Sequence, residues 1–183
     1  ARDFEDAAPI IAAAGRDVLA VSLRGRGSSD RDPDARNYHP FVYRDDILAL
    51  LDAERIETAG LVGTSLGGIV SMLVNEKAGA RVAGAVLNDI GPRIEPEGLA
   101  RIAGAVGNTM DFASFEALAA AQKASLGAQF PQLDDAGWLR LARQLASEME
   151  DGEGVRLDYD ARLGDTFRDA PVPTESPDFW PAF

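Results

Sequence analysis

The 183-residue chain has no cysteine. That excludes disulfides, thiolate metal sites and cysteine nucleophiles. It has one histidine, His39, so chemistry that needs a histidine base has a single candidate within it. No apolar run approaches the roughly 20 residues required to cross a bilayer. The opening stretch "ARDFEDAAPI" lacks the basic start and apolar core of a secretory leader, and a cytoplasmic location is expected. Because the first residue is Ala1 and not methionine, a processed or partial chain is also expected. Basic charge is scarce as well: 18 Lys and Arg stand against 30 Asp and Glu, for a net charge of −12. Such a surface repels phosphate backbones and offers no basic stripe for counterion release. An anionic membrane surface is disfavoured for the same reason. Neither nucleic acid nor membrane is an expected partner, and the acidity reads as solubility.

What is present is an ordinary globular composition, 26% charged and 46% hydrophobic, of a length that fits one domain or one domain with an insertion. Short apolar runs at 18–23 ("VLAVSL"), 59–63 ("AGLVG") and 82–87 ("VAGAVL") read as buried strands of a parallel sheet. Between them, 41–54 places Tyr43, Ile47, Leu50 and Leu51 at helical spacing. In 66–78, Leu66, Ile69, Val70, Leu73 and Val74 follow i, i+3, i+4, i+7, i+8. Alternation of strand and helix predicts a parallel α/β architecture.

After "NDIGP" the pattern turns helical. Helices are predicted over 96–107 (Leu99, Ile102, Val106), 112–126 (Phe112, Phe115, Leu118, Ala119) and 135–149 (Trp138, Leu141, Leu145, Met149). One further strand is expected near 155–159. The aromatic and methionine stripe reads as core. Residues 148–169 carry eight acidic residues against three arginines and read as a solvated connection. The tail "DAPVPTESPDFWPAF" reads as an extended linker exposing Phe179, Trp180 and Phe183.

The most informative stretch is "LVGTSLGGIV" at 61–70, where Ser65 lies two residues from Gly63 and from Gly67. A serine becomes a nucleophile when its hydroxyl stands clear of the sheet and reaches a base. A strained strand-to-helix turn achieves this, and glycine is expected at both 63 and 67 to let the backbone close on itself. The helix beginning at Leu66 offers its N–H as the first oxyanion donor. The stretch lacks the lysine of a phosphate loop and the spacing of a dinucleotide fingerprint. His39, in "NYHPF", reads as the turn before a helix with Pro40 at its first position. Asp89 reads as a hydrogen-bonded turn aspartate in preference to a catalytic acid. Arg24 and Arg26, in "LRGRGSSD", read as structural ion-pair partners in preference to a carboxylate clamp.

"VGTSLGG", "LRGRGSSD" and "VLNDIGP" together resemble the α/β-hydrolase fold superfamily, in particular bacterial cap-bearing hydrolases of the esterase type. "RDFEDAAP" resembles the helix after that family's oxyanion loop, and "LDYDARL" the segment leaving its cap. The resemblance implies an incomplete parallel-sheet core over 1–91, a helical cap over 92–165 and a linker returning to the core over 166–183. It implies a chain order of serine, acid, then histidine, with the last two, and an upstream His-Gly loop, not in this chain. It also implies that a strand absent from the chain lies between 18–23 and 59–63, supplied in one reading by a second chain. The expected activity is hydrolysis of a small to medium carboxylic ester through an acyl-enzyme on Ser65, with no cofactor or metal. Alternatives are a C–C bond or lactone hydrolase on the same fold, or an inactive fragment or non-catalytic ligand-binding relative. For the chain alone, inactivity is expected.

Overall fold

The computed structural model describes residues 1–107, 111–168 and 178–182. Its helices and strands are α1 (Ala7–Ala13), α2 (Pro40–Ala53), β1 (Ala59–Thr64), α3 (Leu66–Ala78), β2 (Val82–Asn88), α4 (Pro96–Ala105), β3 (Asp111–Phe112), α5 (Phe115–Leu126), α6 (Asp135–Leu145), β4 (Ala146–Glu148), β5 (Val155–Leu157) and α7 (Asp165–Arg168). The chain forms two compact units. One comprises Ala1–Arg31 and Thr109–Asp160, the other Asp32–Asn108 and Ala161–Phe183. These units cut across the expected boundaries at 91/92 and 165/166.

The unit beginning at Asp32 carries the parallel pair. β1 and β2 run in register from Gly60↔Gly84 to Thr64↔Asn88. A parallel pair needs a long crossover, and α3 supplies it. Val70, Met72, Leu73 and Val74 of α3 are all buried, and so are Tyr43 and Leu51 of α2. The two helices pack together, and Lys77 bridges to Asp45 at 2.8 Å. α2 starts where Pro40 occupies its first turn and the His39 ring caps it. Tyr38 and Asp32 are buried beside that start. The Asp32 N–H donates to the Tyr38 hydroxyl at 2.8 Å, and Arg162 donates to the Asp32 carbonyl at 2.7 Å. Leu163 is buried too, so the acidic stretch 148–169 is not simply solvated.

In the other unit, Leu118, Ala119, Trp138, Ala142, Ala146 and Val155 form a closed apolar core. α5 and α6 pack on one another, and the strands form a three-stranded antiparallel sheet in the order β3-β5-β4. The helix predicted to reach Met149 stops at Leu145. Ala146 is extended at φ −129°, ψ 163° and begins β4. Gly152 and Gly154, at φ 74° and 141°, turn the chain back into β5. The apolar residue at 149 fits a helical period, but these glycines supply a hairpin that competes with it. The buried face of α6 is Trp138 and Ala142, while Leu145 is exposed. Asp158, past β5, accepts from Arg2, from Arg31 at 3.2 Å and from Ser147 Oγ at 3.0 Å. This ties the start of the chain to the end of the hairpin.

The strand predicted at 18–23 is absent. No described residue pairs with it, and Val18 and Leu19 are 39% and 53% exposed. A parallel strand gains its hydrogen bonds only from neighbours that lie far off in sequence, and no described segment takes that place. β1 is likewise bare on alternate positions and β2 is exposed from Ala83 to Val86, with Val62 45% and Val86 59% exposed. Phe179 is half-buried and donates its N–H to the Pro92 carbonyl, whereas Trp180 is exposed. Phe183 and most of the expected linker lie outside the described residues. No helix among the described residues is long and apolar enough to cross a membrane.

Exposed apolar strands with free edges invite association. The isolated 183-residue polypeptide is therefore expected to bind an apolar dye strongly and to melt without a cooperative transition. A single sharp calorimetric transition from the monomer would contradict this.

Candidate active site

β1 delivers Gly63 and Thr64 to the carboxyl end of the parallel pair, and the chain must pass from strand to helix within one residue. That residue is Ser65, at φ 50°, ψ −112°. For a non-glycine residue this conformation costs on the order of 1–3 kcal/mol and survives only where its surroundings over-determine it. Here the Ser65 N–H donates to the Asn88 carbonyl at 2.9 Å, continuing the β1–β2 ladder past its last residue pair. Asn88 Nδ2 donates to Thr64 Oγ1 at 3.2 Å across the same step. Gly63 is buried against the start of α3, where a β-carbon would overlap the Gly67 carbonyl carbon and oxygen.

The expectation that position 67 equally needs glycine is corrected. A β-carbon there meets no heavy atom within 4 Å, because Gly67 presents its carbonyl to Gly63 and its Cα hydrogens to open space. Position 68 carries the second requirement. A β-carbon on the buried Gly68 would overlap Ile90 Cγ2 and lie 3.3 Å from the Gly63 carbonyl oxygen. Sequence reasoning missed Gly68 and Ile90; the only signal was the doubled glycine at 67–68.

A serine at the start of a helix ordinarily accepts a hydrogen bond from an amide in the first turn. The Ser65 side chain does not. The Gly68 and Ile69 N–H groups donate instead to the Ser65 carbonyl, at 2.9 and 3.2 Å. The half-buried Ser65 is thus left with a hydroxyl that makes no hydrogen bond among the described residues. Leu66 N–H, the first amide of α3, also makes no backbone bond among them, as the geometry of a helix start requires.

His39 is held elsewhere. Its Nδ1 accepts the Phe41 N–H at 3.3 Å, and its ring lies 5.2 Å from the Phe41 ring, so it caps α2 and makes no bond to Ser65. Asp89 follows β2 at the same sheet edge as Ser65 and has φ 54°. The expected hydrogen-bonded turn is not found: its carboxylate is exposed and has no partner among the described residues. Among the described residues Arg26 does not form the expected ion pair. Its guanidinium lies 5.9 Å from the centroid of the Tyr159 ring, and its Nε is buried without a hydrogen bond. Arg24 is engaged in a contact of its own.

Two surface carboxyl groups, Asp34 and Asp45, have their acidity shifted by neighbouring cations. The Arg36 guanidinium holds Asp34 down to about 2, and Arg44 with Lys77 holds Asp45 well below the usual range. Depressed carboxylates add stability above their ordinary range and lose it as pH falls through the folded value, and exposure keeps these contributions small. A hollow of about 320 Å³ lined by Leu51, Asp52, Arg55, Ile56, Glu57 and Arg81 lies at the amino ends of β1 and β2, opposite Ser65. There Arg81 is already bonded to Asp52 and to the carbonyls of Glu57 and Ile56. Among the described residues no cluster of His, Asp and Glu side chains is placed to hold a metal.

Residues 1–182 match the model of the alpha/beta hydrolase family. The chain belongs to that family. An alpha/beta hydrolase from Novosphingobium aromaticivorans superposes with a TM-score of 0.87 at 40% identity, covering 100% of this chain and 63% of that one. The chain is 29% identical over 170 residues to a 3-hydroxybutyrate-oligomer hydrolase of Cupriavidus necator, which covers 91% of this chain and 57% of that protein. Esterase YbfF of Escherichia coli is 35% identical over 75 residues, 41% of this chain and 28% of that protein. The chain therefore spans about three fifths of the first two relatives' length. The alpha/beta hydrolase fold agrees with the parallel pair and its crossover helix, and the named relatives are hydrolases.

The two flanking glycines are expected to respond differently. Gly63→Ala should lower the melting temperature sharply, since backbone must move. Gly67→Ala should be neutral or stabilising by up to about 1 kcal/mol, the helix-propensity gain. Thermal melts of the two variants, expressed from the full coding sequence, make the comparison.

Proposed function

We propose that the protein is a serine hydrolase of small to medium carboxylic esters, with Ser65 as nucleophile. The observation that carries this reading is the unbonded Ser65 hydroxyl, held out of the capping position by a strained backbone at φ 50°. In the proposed reaction Ser65 Oγ attacks the ester carbonyl while a histidine takes its proton. The Leu66 N–H stabilises the oxyanion at the positive end of α3. Collapse of that intermediate breaks the carbonyl–alkoxy bond, and the histidine returns the proton to the leaving alcohol. Water, deprotonated by the same histidine, then adds to the acyl group and restores Ser65.

His39 is occupied in capping α2, so the proposed base and acid come from sequence outside these residues, in the same polypeptide or a second chain. The segment 92–165 is proposed as a helical cap and 166–183 as the return to the core. A cytoplasmic location, and an ester as small-molecule partner without nucleic acid or membrane, belong to the same proposal. Similarity to a 3-hydroxybutyrate-oligomer hydrolase makes short hydroxyalkanoate esters worth including among the substrates.

The test uses protein expressed from the full coding sequence against a panel of p-nitrophenyl esters, a 3-hydroxybutyrate oligomer, a lactone and a cleavable diketone. Ester turnover is expected, and Ser65→Ala should reduce kcat by about 10³-fold or more. His39→Ala should leave kcat within about threefold while costing roughly 1 kcal/mol of stability through the lost cap. Turnover of the diketone or lactone alone would transfer the reading to C–C bond or lactone hydrolysis. A folded protein that neither turns over the panel nor reacts with a fluorophosphonate would support a non-catalytic relative.

A further inference from the structure

We infer that Ile90 is a positioning residue for the nucleophile, acting through a knob-and-notch contact with Gly68; this rests on the reading of Ser65 as nucleophile. Two residues in left-handed conformations stand at the carboxyl ends of adjacent parallel strands: Ser65 at φ 50° after β1 and Asp89 at φ 54° after β2. They are joined through Asn88, whose carbonyl accepts the Ser65 N–H and whose side chain donates to Thr64. The position of Asn88 therefore sets the position of Ser65.

The loop after β2 needs an anchor of its own. Asp89 makes no hydrogen bond among the described residues and provides none. Ile90 does: its Cγ2 fills the space that a β-carbon on Gly68 would occupy in the first turn of α3. One methyl group thus locks the end of β2 to the helix that starts at the nucleophile. The lock closes a ring of contacts from Ser65 through Asn88, Asp89, Ile90 and Gly68 back to Ser65, whose carbonyl accepts the Gly68 N–H at 2.9 Å. Close-packed contacts of this kind transmit displacement and do not absorb it.

The experiment measures the second-order rate of fluorophosphonate labelling at Ser65, with the melting temperature alongside, in protein expressed from the full coding sequence. Ile90→Val retains the contacting methyl and should label within twofold of wild type. Ile90→Ala should label at least tenfold more slowly, with faster hydrogen exchange at the Ser65 amide and unchanged exchange in α2. Gly68→Ala should also slow labelling at least tenfold, and the Gly68→Ala, Ile90→Ala double variant should label faster than either single variant, because the new methyl enters the vacated space. If Gly68→Ala does not fold, the Ile90→Val and Ile90→Ala pair decides alone. Labelling that stays constant across folded variants whose melting temperatures fall would leave Ile90 a packing residue and overturn the proposal while sparing the nucleophile. Folded wild type that does not label would overturn the nucleophile, and the positioning role with it.

Discussion

The contact on which the rest of this site depends is the approach of Gly63 to the Gly67 carbonyl. A strand can turn into a helix over a single residue only if the two backbones pass within the space of a missing side chain. That approach forces Ser65 to a positive φ, which swings its hydroxyl away from the first-turn amides it would otherwise cap. The freed hydroxyl follows from that steric fact, and the Leu66 N–H beside it makes no backbone bond among the described residues because it is the first amide of a helix. Placing both at the carboxyl end of a parallel pair brings them to the edge where ligands meet open α/β sheets.

The strain is not held by the glycines alone. Ser65 continues the β1–β2 ladder through its bond to Asn88, so strand pairing bears directly on the position of Ser65. Hydrogen bonds and packing divide the work. The ladder sets the height of Ser65, while α3, buried along Val70–Val74 and backed by α2, sets the direction of the helix that follows. A turn held from both sides can store a conformation that neither the strand nor the helix favours alone.

Much of the fold was legible from local pattern. α3 occupies the residues its apolar spacing marks, and β1 and β2 extend the predicted runs by a single residue each. His39 and Pro40 announced the start of α2. These features depend on residues within a few positions of each other. The misreadings share the opposite property. "VLAVSL" has the composition of a buried strand, but a strand needs partners, and pairing is decided by chain far away in sequence. Met149 continues the helical stripe of α6, yet two glycines past it let the chain fold back onto β4. Arg26 has the charge for an ion pair and lies over Tyr159 instead.

The sequence by itself determined the elbow: a serine between glycines, an apolar strand before it and an amphipathic helix after it admit few other conformations. It determined the family for the same reason, since that combination recurs wherever a serine must stand clear of a parallel sheet. Only the tertiary structure decided which glycines the elbow requires. Gly63 and Gly68 are fixed by what approaches them, the Gly67 carbonyl and the Ile90 side chain, while Gly67 faces open space. A glycine's necessity is a property of its neighbours, and neighbours across a turn and a strand are set by packing, which no local pattern records.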